Sequence, residues 1–150
     1  MTAKSDPGLL LLIEDDPHDV ELMQLALAPL RFINQMDVVT DGQQALRYLI
    51  GDDNHPSNRL LPRLVLLDLK LPRINGLEVL RTLRANPRTK KLIIVVMTSS
   101  QEDADLEACY ELCSNSYIVK PVDFEQFLEV STRVVSYWMH LNKPPALTTP

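Results

Sequence analysis

Five times along the chain a short aliphatic run gives way to a segment of helical periodicity, which restricts the fold to repeated βα units around a parallel sheet. The first run, Leu9 to Ile13, is wholly aliphatic, as a strand covered by helices on both faces must be. It stops at Glu14-Asp15-Asp16-Pro17. There Asp16 suits an N-cap and Pro17 the first helical position, and Val20, Met23, Leu27 and Leu30 follow at helical spacing. A weaker strand, Met36 to Thr40, precedes Asp41-Gly42 and a helix carrying Ala45, Leu46 and Leu49. The third strand, Leu64 to Leu67, ends directly on Asp68; after Leu71-Pro72-Arg73-Ile74-Asn75-Gly76 comes a helix with Leu77, Leu80, Leu83 and Arg84. The fourth, Leu92 to Met97, ends on Thr98 and leads to a helix over Asp103 to Leu112. The fifth, Tyr117 to Val119, ends on Lys120-Pro121 and leads to a helix from Asp123 to Trp138.

These elements make one α/β domain over residues 9–141, a doubly wound five-stranded parallel sheet. Residues 1–8 are expected to be a leader, 142–150 a proline-rich tail, and 51–62 an extended polar loop before the third strand.

The charge balance narrows the partners. At a net −5 the chain is not expected to bind nucleic acid, since phosphate neutralisation needs clustered Lys and Arg. The one basic cluster, Arg84, Arg88, Lys90 and Lys91, falls between a helix and a strand and reads as a solvated connection. No apolar run is long enough to cross a bilayer, and Met1 to Gly8 lacks a signal-peptide pattern, so a cytoplasmic protein without membrane contact is expected. Cys109 and Cys113 lie four apart, but no second Cys or His cluster completes a metal site. They read as buried or half-buried thiols. His18, His55 and His140 show no ligand spacing.

In an open parallel sheet, ligands gather beyond the carboxyl ends of the strands. Four of the five strands end there on a polar or charged group: Glu14 with Asp15, Asp68, Thr98 and Lys120. Asp16 alone is better explained as a helix cap. Three carboxylates about 5 Å apart repel pairwise by roughly 3 kcal/mol at an effective dielectric near 20. They must take up protons or share a cation, and hard oxygen ligands without His or Cys favour Mg²⁺ or Mn²⁺. A metal-held carboxylate beside a lysine and a threonine hydroxyl suits phosphoryl transfer. Asp68 would attack phosphorus, Lys120 would neutralise equatorial oxygens, and Thr98 would donate a hydrogen bond.

Segments Leu11 to Asp16 (Leu-Leu-Ile-Glu-Asp-Asp), Leu66 to Pro72 (Leu-Leu-Asp-Leu-Lys-Leu-Pro) with Asn75-Gly76, Val96 to Ser100 (Val-Met-Thr-Ser-Ser) and Ser116 to Pro121 (Ser-Tyr-Ile-Val-Lys-Pro) resemble the response-regulator receiver family. The resemblance runs from about Leu9 to Trp138. It implies a flavodoxin-like strand order 2-1-3-4-5 and makes Asp68 the phosphoacceptor. It places Glu14, Asp15, Asp68 and the Lys70 carbonyl around a Mg²⁺ or Mn²⁺ ion. Thr98 becomes the switch hydroxyl, Lys120 the phosphate-contacting lysine and Tyr117 the switch aromatic. It also suggests a cis peptide before Pro121, and makes Lys70 and Ser100 positions that tune phosphoryl lifetime.

The Pro17-His18-Asp19-Val20-Glu21 stretch and the 51–62 loop further resemble single-domain response regulators of cyanobacterial phytochromes. That likeness implies a histidine kinase partner, of phytochrome type, and a homodimer. One departure stands out: Cys113-Ser114 occupies a place where the family commonly has Gly-Ala, so the fourth helix lacks its usual left-handed glycine stop. On the last helix, Phe124, Phe127, Leu128, Ser131, Val134, Val135 and Trp138 fall near one face. Val130, Tyr137 and Leu141 fall outside it and, with Tyr117, form the expected dimer face.

Three other functions compete. A metal-dependent phosphohydrolase of the haloacid-dehalogenase kind needs a second Asp two residues after the nucleophile, where this chain has Lys70. A nucleotide- or flavin-binding module needs a Gly-rich turn after the first strand, which is missing. A phosphorylation-independent interaction or dimerisation module remains as the alternative, against which the presence together of Asp68, Thr98 and Lys120 argues.

Overall fold

A computed structural model describes residues 4–147. Five parallel strands form one sheet in the order β2-β1-β3-β4-β5. They are β1 (Ser5–Ile13), β2 (Gln35–Val39), β3 (Leu61–Leu67), β4 (Ile94–Thr98) and β5 (Ser116–Val119). The helices between and after them are α1 (Pro17–Leu27), α2 (Gly42–Leu49), α3 (Gly76–Ala85), α4 (Asp103–Glu111) and α5 (Phe124–Ser136). A π-helical turn, Tyr137–Leu141, extends α5.

The central strands are aliphatic because both of their faces are covered. Successive side chains point to opposite faces, so one run supplies two cores. Leu11, Ile13, Val65, Leu67, Ile94 and Val96 pack with Ala45 and Leu49 of α2 and Val79, Leu80 and Leu83 of α3. Leu10, Leu12, Leu64, Leu66, Val95 and Met97 pack with Met23 of α1 and with Phe127 and Val135 of α5. Parallel pairing then aligns the carboxyl ends: Ile13 lies beside Leu67, and Thr98 beside Val119.

Helix starts follow the local chemistry. Asp16, Asp41, Asn75 and Asp123 each accept a hydrogen bond from a first-turn amide, at 2.8 to 3.0 Å. Gly76 is required for a steric reason. A Cβ there would stand 2.3 Å from the Asp68 carbonyl oxygen, so only glycine lets α3 begin against the backbone of the site.

Several boundaries and one stop differ from the sequence expectation. β1 begins at Ser5, because Ser5 and Asp6 pair with Leu61 and Pro62 before the register shifts ahead of Leu10. Much of the expected leader is therefore sheet, while residues 1–3 lie outside the described residues. β3 correspondingly starts at Leu61, inside the expected loop, and the tail is described as far as Leu147.

The fourth helix does have a left-handed stop, since Cys113 itself adopts φ 61°. The Cys113 amide donates to Tyr110 O at 3.0 Å and the Ser114 amide to Cys109 O at 2.9 Å, so the helix end is satisfied without glycine. The Arg84 guanidinium steadies this turn from outside. It donates to Cys113 O from Nε (3.1 Å) and Nη2 (2.8 Å), and to Leu92 O at 2.8 Å. Arg88 Nε donates to Leu49 O at 3.0 Å. The basic cluster is thus not simply solvated: two of its cations tie loop carbonyls together. Cys113 is exposed rather than buried, whereas Cys109 is buried and burial pushes its thiol up to about 11.

Candidate phosphoryl-transfer site

Backbone hydrogen bonds hold the strand ends that form the site. The Asp68 amide donates to Ile13 O at 3.1 Å, the Glu14 amide to Val39 O at 3.0 Å, and the Lys120 amide to Thr98 O at 2.8 Å. The ladder thereby brings Glu14, Asp15 and Asp68 together. One carboxylate oxygen from each lies within 4.8 Å of the others. Glu14 and Asp68 are buried and Asp15 is exposed.

The Lys120 ammonium sits among these acids. It donates to Asp68 Oδ2 at 2.8 Å, to Asp19 Oδ2 at 2.8 Å, and to Glu14 Oε1. All of its protons are thus used. Burial alone would lower the lysine pKa, but the bonds it donates to Asp19, Asp68 and Glu14 outweigh that and raise it. Asp68 shows the same contest: burial raises its pKa, the Lys120 hydrogen bond and charge lower it, and the net shift is downward. Glu14 goes the other way. Its burial, reinforced by the Asp68 charge, prevails over Lys120 and pushes the carboxyl up to about 7. Burial thus favours the protonated form of Glu14, while Lys120 favours the anion of Asp68.

The donor set fits a hard divalent ion, being three carboxylates without His or Cys. Lys70 joins through its amide, which donates to Asp68 Oδ1 at 3.3 Å, while its side chain is exposed.

Thr98 is fully buried, and its Oγ1 accepts from the Ser100 amide at 3.3 Å. The Ser100 hydroxyl donates to Asp105 Oδ2 at 2.6 Å. The Tyr117 hydroxyl donates to Ser100 O at 3.0 Å. Thr98, Ser100 and Tyr117, singled out separately in the sequence, thus form one connected series running from the site to α4.

The peptide before Pro121 is a correction, because no described peptide bond is cis. Lys120 reaches Asp68 with that bond trans, the form an X–Pro bond favours by about 0.5–1 kcal/mol. Its placement comes from the sheet, through the Lys120 amide on Thr98 O. Of the expected dimer face, Tyr137 and Leu141 are exposed and Tyr117 and Val130 are half-buried. Phe124, expected on the inner face of the last helix, is exposed.

Sequence reasoning missed Asp19. Its one available signal was position: with Asp16 as N-cap, Asp19 falls in the first turn of α1, at the strand-end pole of the sheet. A first-turn acid is ordinarily read as a partner of the helix dipole.

A doubly wound sheet in this order, with an acid cluster and a lysine at its carboxyl edge, defines a receiver. The chain belongs to the response regulator receiver domain family, whose model matches residues 10–132. It is 36% identical over 140 residues to "Probable methanogenesis regulatory protein FilR2" of Methanothrix harundinacea, covering 93% of this chain and 89% of that protein. It is 32% identical to response regulator Rcp1 of Synechocystis, over 93% of this chain and 95% of Rcp1. The Mn²⁺-bound structure of Rcp1 superposes with a TM-score of 0.82, covering 93% of this chain and 100% of that one. The phosphorylated cyanobacterial phytochrome response regulator RcpA, 31% identical, superposes with a TM-score of 0.85 over 92% of this chain and 98% of its own. Among the described residues, no helix is long and apolar enough to cross a membrane.

Proposed function

We propose that this receiver takes a phosphoryl group from a histidine kinase onto Asp68 and signals by the change in shape that follows. The observation that carries the reading is the Asp68 carboxylate, which accepts from the Lys120 ammonium at 2.8 Å beside Glu14 and Asp15. An Asp68 oxygen attacks phosphorus; the new O–P bond forms as the P–N bond of the phosphohistidine breaks, and the electron pair leaves on the imidazole nitrogen. Lys120 keeps its proton throughout and offsets charge on the phosphoryl oxygens. Thr98 donates its hydroxyl to one of them while its lone pair remains with Ser100. Glu14, Asp15, Asp68 and the Lys70 carbonyl would hold Mg²⁺ or Mn²⁺, which supplies charge neutralisation at the phosphoryl oxygens. The receiver contributes the catalysis of its own phosphorylation and of its dephosphorylation by water, and turns over no other substrate.

The kinase is of phytochrome type in this reading, which the likeness to the phytochrome response regulator RcpA supports. The protein works in the cytoplasm as a homodimer, without nucleic acid or membrane. To test it, the chain is incubated with Mg²⁺ and acetyl phosphate, or with an autophosphorylated phytochrome kinase, and followed by intact mass. One added phosphoryl group is expected, lost in Asp68→Asn and on chelation of the metal. Undiminished labelling of the Asn variant would move the acceptor elsewhere.

A further inference from the structure

Building on that proposed phosphoryl transfer, we propose that Asp19 is a positioning residue for the reaction, the tether that keeps Lys120 at Asp68 while the other acids change partners. Three carboxylates share the ammonium: Glu14, Asp19 and Asp68. Two of them, Glu14 and Asp68, also belong to the cluster of oxygens with Asp15, and Asp19 does not. A divalent ion on that cluster competes with Lys120 for the lone pairs of Glu14 and Asp68. Phosphorylation then turns Asp68 into an acyl phosphate and moves its negative charge onto the phosphoryl oxygens. Asp19, outside that cluster, keeps its Oδ2 on Lys120 before, during and after transfer.

A lysine needs such a hold. Its ammonium rides on a flexible four-carbon stem, and a small misplacement at a reacting centre is enough to slow chemistry. Asp19 is itself well fixed. Asp16 caps α1, Pro17 opens it, and the first turn favours a carboxylate. Its side chain is only 22% exposed, with Oδ2 on Lys120 at 2.8 Å and Oδ1 3.9 Å from the exposed His18 Nδ1. The competing explanation is a purely structural tie between α1 and the end of β5.

The full chain is compared with Asp19→Asn and Asp19→Ala, with Asp19→Ser as a second truncation should the alanine variant not fold. The labelling rate by acetyl phosphate is measured at saturating Mg²⁺ across donor concentrations, alongside Mn²⁺ affinity by calorimetry and thermal unfolding. Truncation is expected to lower the maximal rate about tenfold. Asn, whose amide oxygen still accepts from Lys120, should recover most of the rate. Affinity for Mn²⁺ should stay within about twofold, because Asp19 shares no oxygen with the cluster. A truncated variant that unfolds earlier yet labels at the unmodified rate would make Asp19 a structural tie and overturn the proposal. So would faster labelling, or a metal affinity that falls in step with the rate. Failure of the unmodified chain to label would instead sink the phosphoryl-transfer reading itself.

Discussion

The Tyr117 hydroxyl donates to the Ser100 carbonyl at 3.0 Å, so β5 is tied to the loop leaving β4 at the residue whose amide donates to Thr98. Ser100 also reaches Asp105 on α4. In the proposed reaction, a movement of Thr98 toward a phosphoryl group would pull on Ser100, and through it on Tyr117 and the start of α4. Tyr117→Phe removes one hydrogen bond, worth about 1 kcal/mol net. It should leave phosphoryl acceptance intact but weaken the coupling. The check is the NMR shift of fluorotyrosine placed at 117, with and without a beryllofluoride mimic. An unchanged signal would make Tyr117 a static strand residue and refute the switch role.

Metal binding should be steeply pH-dependent. Burial pushes the Glu14 carboxyl up to about 7, and a protonated carboxyl must release its proton to act as a ligand. Affinity for Mg²⁺ is therefore expected to tighten by about tenfold per pH unit as pH rises toward 7 and then to level off. The effect on stability has the opposite sign. The folded carboxyl titrates near 7 against an ordinary value of 4.5, so its contribution to metal-free stability is present below 4.5 and lost as pH rises through 7. Calorimetry in buffers of different ionisation enthalpy reads the released proton directly. Binding without proton release at pH 6 would place the proton elsewhere.

The expected dimer face can be tested through Tyr137. Tyr137 and Leu141 are exposed at the end of α5, and Val119, Val122 and Phe124 are exposed at its start and on β5. Apolar surface of that kind is commonly covered in a two-fold dimer. Sedimentation equilibrium at micromolar concentration should show a dimer that Tyr137→Glu dissociates. A monomer both with and without beryllofluoride would refute it.

What the sequence revealed and what it hid divide along a physical line. Strand ends were legible because each aliphatic run stops on a polar group, and parallel pairing turns those stops into neighbours: Glu14, Asp15, Asp68, Thr98 and Lys120 meet at one edge. Caps were legible because Asp16 acts on its own first turn. Contacts between distant segments left no local trace. Asp19 on Lys120, Arg84 on the Cys113 carbonyl and the pairing of Ser5 with Leu61 join segments far apart in the chain. The peptide before Pro121 failed for another reason, since the sheet already places Lys120 and a trans bond suffices.

Cys113 offers a test that depends mainly on backbone geometry, since its thiol makes only a long contact, Sγ to Glu111 O at 3.9 Å. Its φ of 61° is a conformation that L side chains adopt at a cost and glycine adopts freely. The thiol is exposed, so removing it sacrifices no buried packing. Against the relief of strain stands the greater freedom of glycine in the unfolded chain, which offsets part of the gain. Cys113→Gly should therefore stabilise the protein by about 0.5–1 kcal/mol, a rise of roughly 1–4 °C in Tm for a chain of this size. The Arg84 bonds go to the carbonyl at this position, not to the side chain, and should survive the change. Paired urea and thermal melts of the two proteins decide it. A lower midpoint in the glycine variant would mean that the Cys113 side chain contributes to the turn in its own right.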